Sequence, residues 1–341
     1  MTLRLSVDTR RWRDHLRTLQ SDVPGLVPVA KGNGYGFGLE VLAREAMRIR
    51  ASAIAVGVAE EVTQVRLAGY TRDVVVLNPW RPDDAVASAL LADPRVITTV
   101  SRPEDLEAVS ARAPRARVQL ELLTSMRRHG LATDQLQGLD LHDLTFEGWT
   151  IHLPATGSLA EAERLARAGL AAHRGAVWVS HLSVADYRLL RTRLGVQTRM
   201  RIGTRLWLGA PDTLTTRATV LDVHRISRGE RLGYHQSRAP RDGHIVVVSG
   251  GTAHGVALAA PVPQRSLRQR GVTVAEGVLQ AAGQSLSPFT LGKRKRPFAE
   301  PPHMHSSMLF VAGREPGVVV GDEVPVTCRM TTTRFDQIAW D

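Results

Sequence analysis

The stretch Val29-Ala30-Lys31-Gly32-Asn33-Gly34-Tyr35-Gly36-Phe37-Gly38 is an apolar run that ends in one lysine and passes into alternating glycines around one tyrosine. This pattern puts an amine at the mouth of a strand, lets a ligand approach the backbone closely, and hangs a phenol over the same spot. A lysine whose surroundings lower its pKa can condense with a carbonyl to form a Schiff base. An ordinary surface lysine before a loop has the same local sequence, so the rest of the chain must decide. Four further places carry groups of the right types: Arg128 in Ser125-Met-Arg-Arg-His-Gly-Leu, His152, Ser183, and Arg201-Ile202-Gly203. Each also has a plain explanation. His152 could be a satisfied core histidine, Ser183 a helix cap, and Arg201 one arginine among many.

These residues need elements that bring them together. Short apolar or β-branched runs recur at Leu26 to Ala30, Ala53 to Gly57, Asp73 to Leu77, Arg95 to Thr99, Arg117 to Leu122, Glu147 to His152, Ala176 to Ser180 and Thr198 to Ile202. Between them lie stretches with apolar residues at helical spacing, such as Leu39 to Met47, Arg102 to Val109 and Leu159 to Arg167. Eight strand-helix units predict an α/β fold, a (β/α)8 TIM barrel. An open doubly wound sheet is the competitor, but no Gly-x-Gly-x-x-Gly loop enters a helix after the first strand. Barrel enzymes keep their chemistry at the carboxyl ends of the strands. Lys31 follows the first strand, Arg128 lies past the fifth, His152 ends the sixth, Ser183 lies past the seventh, and Arg201 to Gly203 end the eighth. Backbone amides near Gly203 with a serine hydroxyl would suit a phosphate.

After Pro211 the helical spacing fades. Apolar runs at Ala218 to His224, His244 to Ser249, Ser307 to Ala312, Gly317 to Val320 and Val324 to Thr327 alternate with Gly and Pro turns and predict a C-terminal β domain. The run Leu3 to Asp8 is expected to pair into it. The expected organisation is residues 1–10 as an N-terminal strand joining the β domain, 11–214 as the barrel and 215–341 as the β domain. Residues 265–302 read as loop with at most one short strand.

Composition narrows the class. At 341 residues the chain is long enough for about two domains. No run approaches the roughly 18 apolar residues of a membrane span, and the start lacks the basic patch and apolar core of a signal peptide, so a cytoplasmic protein is expected. The single cysteine, Cys328, excludes an intramolecular disulfide and a thiolate metal cluster. The formal charge of +11 would suit nucleic acid, but the arginines are scattered and aromatic residues are scarce. The one dense basic run, Lys293 to Arg296, reads as a solvated loop. An anionic cofactor or substrate needs only a few of these charges.

Over nearly its whole length the sequence resembles the alanine racemase family of fold-type III pyridoxal-phosphate enzymes. The resemblance implies a barrel plus a C-terminal β domain, pyridoxal 5'-phosphate as cofactor, interconversion of L- and D-amino acids, and a homodimer with shared active sites. Lys31 matches the Schiff-base lysine, and Tyr35, Ser183 and Gly203 match phosphate-binding positions, although the spacing from Ser183 to Arg201 differs by a few residues. Arg201 matches the arginine facing the pyridine nitrogen, and His152 the histidine stacked on the ring and bonded to that arginine. Arg128 matches the arginine near the cofactor's phenolic oxygen and the substrate carboxylate. Tyr234, in Arg231-Leu-Gly-Tyr-His, matches the second base, which reaches the neighbouring subunit's barrel. Met304, in His303-Met-His-Ser, matches the residue whose backbone amide receives the substrate carboxylate across the dimer.

Departures fall mostly at the substrate entrance. The family's Gly-Tyr-Ala-Asp-Gly appears as Gly251-Thr-Ala-His-Gly255, so Thr252 replaces a gate tyrosine. His305 replaces an aspartate, and Met330 falls where a late phosphate-binding tyrosine is expected. Where the family often carries a carbamylated lysine, the fifth strand offers Glu121. Alternation puts Arg117, Gln119 and Glu121 on one face, and a polar set belongs inside a barrel whose outer face packs on helices. Glu121 is therefore expected to hydrogen-bond Arg128, the alternative being a solvent-facing carboxylate. A fold-type III decarboxylase normally has a cysteine at the second base and an acidic residue opposite the pyridine nitrogen, where this chain has Tyr234 and Arg201. A noncatalytic cofactor-binding homologue is the remaining alternative.

Overall fold

The computed structural model describes residues 2–258 and 285–341. These form two compact units, one of residues 13–210 and one of residues 1–12 with 211–341.

The first unit is the expected barrel. Strands β2 (Leu26–Pro28), β3 (Ala53–Val56), β4 (Asp73–Val76), β5 (Val96–Val100), β6 (Arg117–Leu122), β7 (Thr145–His152), β8 (Val177–Ser180) and β9 (Thr198–Ile202) pair in parallel in the order β2-β9-β8-β7-β6-β5-β4-β3. A parallel bridge between Val29 and Ala55 closes the ring. Alternation decides what each strand presents. Val27, Val29, Ala53, Ala55, Val75, Ile97 and Trp178, drawn from five strands, meet in one buried cluster, as only the interior of a closed barrel allows. Polar residues fill other interior positions, and Gln119 Nε2 donates to Thr99 Oγ1 at 2.7 Å.

Helices cover the outside: α1 (Thr9–Asp22), which begins in the other unit, α2 (Leu39–Arg48), α3 (Glu60–Leu67), α4 (Ala85–Leu90), α5 (Pro103–Arg112), α6 (Leu159–Ala172), α7 (Val184–Leu194) and the single turn α8 (Thr204–Trp207). The α2 face Leu39, Leu42, Ala43 and Ala46 is buried at helical spacing. Ser158 caps α6 by accepting the Glu161 N–H, and Ser183 caps α7 by accepting that of Asp186. None of the helices in the described residues is long and apolar enough to cross a membrane.

The second unit is β-rich. Its sheet runs β16-β13-β10-β1-β18, built from β1 (Leu3–Val7), β10 (Leu214–Ile226), β13 (Gly243–Ser249), β16 (Ser306–Ala312) and β18 (Gln337–Trp340), with β17 (Glu323–Pro325) also on β10. Two hairpins, β11 (Arg231–Leu232) with β12 (Ser237–Arg238) and β14 (Leu286–Leu291) with β15 (Arg294–Pro297), complete it. The N-terminal strand joins this unit, with Leu3 opposite Ala218. Its core gathers Leu3, Val220, Val246, Val248, Phe289, Leu309 and Val311.

Two expectations change. Gly317 to Val320 is not a strand: Val319 and Val320 are exposed, and the run ends in a turn. Residues 285–302 hold two paired strands rather than at most one, and Lys293 to Arg296 lie in their turn and second strand. The rest of the 265–302 segment lies outside the described residues. The closing strand β18 pairs parallel with β1, a contact between chain ends that local sequence does not encode.

Candidate active site

Five barrel strands bring the candidate groups to one end. Lys31 follows β2, whose end is held from neighbouring segments: Val29 N–H donates to Ile202 O at 2.9 Å, Ala30 N–H to Ala55 O at 2.8 Å, and the Trp207 indole to Val29 O at 2.8 Å. Burial lowers the pKa of the Lys31 amine, the positive charges of Arg128 and Arg201 lower it further, and only Glu61 acts against them. The lysine is thus disposed toward its neutral, nucleophilic form.

Glu61, buried at the start of α3, holds the turn beside it. Its Oε1 accepts the Gly32 N–H at 2.5 Å and its Oε2 the Gly57 N–H at 2.6 Å. The phenol of Tyr35 is buried, and burial, aided by Glu61, pushes its pKa up to about 12, so it remains a hydroxyl donor. Its oxygen rests against Gly203, where any Cβ would overlap it. Tyr35 and Gly203, at opposite ends of the barrel sequence, therefore meet.

Arg201 is buried, and burial holds its pKa down to about 10, which leaves it charged at neutral pH. Its Nη2 donates to Ile151 O at 3.1 Å, while its Nε is buried without a partner. The expected direct bond between His152 and Arg201 is absent among the described residues. The arginine instead takes the carbonyl one residue earlier, and His152 Nδ1 pairs with Ser180 Oγ at 2.9 Å. Burial and the charge of Arg201 push the pKa of His152 down to about 3, so this imidazole is neutral. Its ring meets His181 edge to face at 5.2 Å.

Arg128 lies on a loop that folds back over β6, where Leu131 N–H donates to Glu121 O at 2.7 Å. Glu121 is 3 % exposed, which excludes the solvent-facing alternative. The expected hydrogen bond to Arg128 is corrected to an ion pair, with Arg128 Nη2 3.9 Å from Glu121 Oε1. Burial raises the Glu121 pKa, opposed by Arg201, Arg128 and Arg81, and its Oε2 has no partner. The carboxylate thus lies in the field of three guanidiniums. Ser183 is exposed, and its hydroxyl both accepts the Asp186 N–H and donates to Asp186 Oδ2 at 2.7 Å, so local bonds account for it.

In the β-rich unit, Tyr234 and Met304 are 83 % and 66 % exposed. The Tyr234 ring packs on His303, the residue before Met304, with ring centroids 4.7 Å apart. Thr252 N–H donates to His303 O at 2.8 Å, and Gly250 N–H to His305 O at 2.9 Å, so Thr252 and His305, two of the positions that depart from the family pattern, lie on segments bonded to each other. Met330 lies outside the strands.

Sequence reasoning missed Glu61, Ser180, His181, Glu300 and His303. Ser180 and His181 carried a signal, their place at the end of β8. Glu61 and Glu300 carried none, because each accepts a backbone N–H distant in sequence, that of Gly32 and that of Tyr234.

The barrel's strand ends define a site of one class: a desolvated lysine in a basic, partly enclosed mouth, suited to an anionic carbonyl compound. The sequence pattern of the alanine racemase N-terminal domain matches residues 7–177. The alanine racemase of Deinococcus deserti is 31 % identical over 250 residues, 67 % of this chain and 68 % of that one. That of Thioalkalivibrio sulfidiphilus is 28 % identical over 262 residues, 68 % and 70 % of the two chains. Among solved structures, the alanine racemase of Bartonella henselae with covalently bound pyridoxal phosphate superposes with a TM-score of 0.73 at 18 % identity over 100 % of both chains. That of E. faecalis gives 0.71 at 19 % identity over 99 % and 98 %. The chain belongs to the alanine racemase family.

Proposed function

We propose that the chain is a pyridoxal-phosphate-dependent amino-acid racemase, acting on alanine or a related amino acid, with Lys31 and Tyr234 as its two bases and a homodimer as its working form. The observation that carries this reading is Lys31 at the end of the first barrel strand, its amine pKa lowered by burial and by the charges of Arg128 and Arg201, in a chain of this family.

The residues present fit the cofactor. The unpartnered Arg201 N–H offers a donor to a pyridine nitrogen, the Tyr35 hydroxyl stays protonated for a phosphate, and the bare Cα of Gly203 admits that hydroxyl. When bound, pyridoxal phosphate would acidify the α-proton of an amino acid by taking the carbanion's charge into its ring. The protein's part is to place bases and hold charges. Lys31 would bind the cofactor and move the α-proton on one face, and the Tyr234 hydroxyl would move it on the other. Arg128, steadied by Glu121, would hold the substrate carboxylate, assisted by the Met304 amide. His152 would back the ring as a neutral imidazole.

Arg201, rather than an acid, would hold the pyridine nitrogen, which would leave it unprotonated and favour simple proton transfer over side reactions. Tyr234 and Met304 stand exposed on the β-rich unit, which supports their donation to a second copy's barrel. Ser183 is the least supported phosphate contact, because its hydroxyl is already engaged with Asp186.

The test is borohydride reduction of the purified yellow protein, peptide mass mapping, and uptake of solvent deuterium into L- and D-alanine. We expect one reducible adduct, on Lys31, lost in Lys31→Ala, and deuterium in both enantiomers. An adduct elsewhere, or release of carbon dioxide in place of inversion, would overturn the reading.

A further inference from the structure

Tyr234 sits in the turn of the β11–β12 hairpin, whose strands are two residues each. Such a hairpin does not hold its own turn, and the Tyr234 side chain is exposed. What fixes it is Glu300. This carboxylate is 6 % exposed, and its Oε2 accepts the Tyr234 N–H at 2.7 Å while its Oε1 pairs with His303 Nε2 at 2.6 Å. The preceding Gly233 has φ +66°, and a Cβ there would overlap the carboxylate, so only glycine admits this approach. The bond from Glu300 also sets the His303 ring, which meets the Tyr234 ring tilted at an interplanar angle of 50°.

His303 in turn belongs to a well-anchored loop. Its N–H donates to Ser306 O at 2.9 Å, and Met304 O accepts the Ala253 N–H at 3.0 Å. Beside it, Ala299 N–H donates to Met308 O at 2.7 Å, tying the Glu300 segment to β16. One buried carboxylate thus reaches the turn that carries the phenol and the loop that carries the Met304 amide. Short bonds to an ionised acceptor are the stronger kind, and a buried carboxylate needs such partners.

We propose that Glu300 and His303 are positioning residues for the Tyr234 phenol, locking it in register with the Met304 amide. The proposal rests on the reading of Tyr234 as the second base. Glu300 fixes the backbone beneath the phenol, and His303 supplies the wall against which its ring stands.

The two bases serve opposite faces, so the test follows α-deuterium exchange of each enantiomer separately, together with kcat and KM, in the full-length holoenzyme. Tyr234→Phe first shows which enantiomer depends on the phenol. In Glu300→Gln, exchange of that enantiomer should fall at least about tenfold, as expected for loss of a bond to a charged group. Exchange of the other enantiomer, served by Lys31, should stay near wild type. His303→Phe keeps a ring beside the phenol but loses the bond to Glu300, and should show the same one-sided loss to a smaller degree. Equal rates for both enantiomers in these variants, whether unchanged or lowered together, would overturn the positioning role. If Tyr234→Phe itself leaves both exchanges intact, the reading of Tyr234 fails and the positioning role falls with it.

Discussion

The Tyr35 hydroxyl lies against Gly203 so closely that no side chain fits between them. One residue follows the first barrel strand and the other the last, and the parallel pairing of Leu26 with Met200 and Pro28 with Ile202 sets them side by side. Gly203→Ala should push the phenol aside. We expect cofactor retention, followed by absorbance after dialysis, to weaken at least about tenfold, in the range that small steric and hydrogen-bond changes produce. Unchanged retention would show that the contact is incidental.

Glu121 stands 3.9 Å from Arg128. Removing one partner of a buried pair typically costs about 3 to 5 kcal/mol, and the half-exposed Arg128 reduces that here. Glu121→Gln should therefore raise KM and lower kcat by about tenfold each, measured by racemisation in both directions. Added bicarbonate should leave the wild type unchanged, because the carboxylate is built in. Glu121→Lys should regain activity in its presence by carbamylation. A fully active Glu121→Gln enzyme would dispose of the idea.

The proposed sharing of sites between two copies makes a mixing prediction. Lys31→Ala and Tyr234→Phe chains, each inactive alone, should recover part of the wild-type activity when combined, since a hybrid dimer carries one intact pair of bases. Demonstrated subunit exchange without recovery would count against sites built from two copies.

The neutral His152 makes a pH prediction. Its pKa falls from about 6.5 unfolded to about 3 folded, so between those values the unfolded chain binds the extra proton. Stability from this group is therefore full above pH about 6.5 and is lost as the pH falls toward 3. One such group contributes at most about 1.4 kcal/mol per pH unit, less with partial exposure. Thermal midpoints measured from pH 7 to 4 should decline less steeply in His152→Gln than in wild type.

The alternating runs, the helical spacing between them and the lysine before a glycine turn were enough to give the barrel, the β-rich unit and the strand ends where Lys31, Arg128, His152 and Arg201 stand. These are local facts, because periodicities of 2 and 3.6 and the reach of a strand end are written in neighbouring residues. Alternation even placed Glu121 inside. Only the tertiary structure decided who touches whom. It gave the Ile151 carbonyl to Arg201 and Ser180 to His152, moved Arg128 from hydrogen-bond distance to a looser ion pair with Glu121, and showed Ser183 spent on capping α7. It also recruited Glu61 and Glu300, carboxylates whose partners include backbone N–H groups on other turns. A sequence displays side-chain types but not free backbone donors. The bonds that hold a base or a cofactor turn in place become visible only when the chain has folded and those donors meet an acceptor.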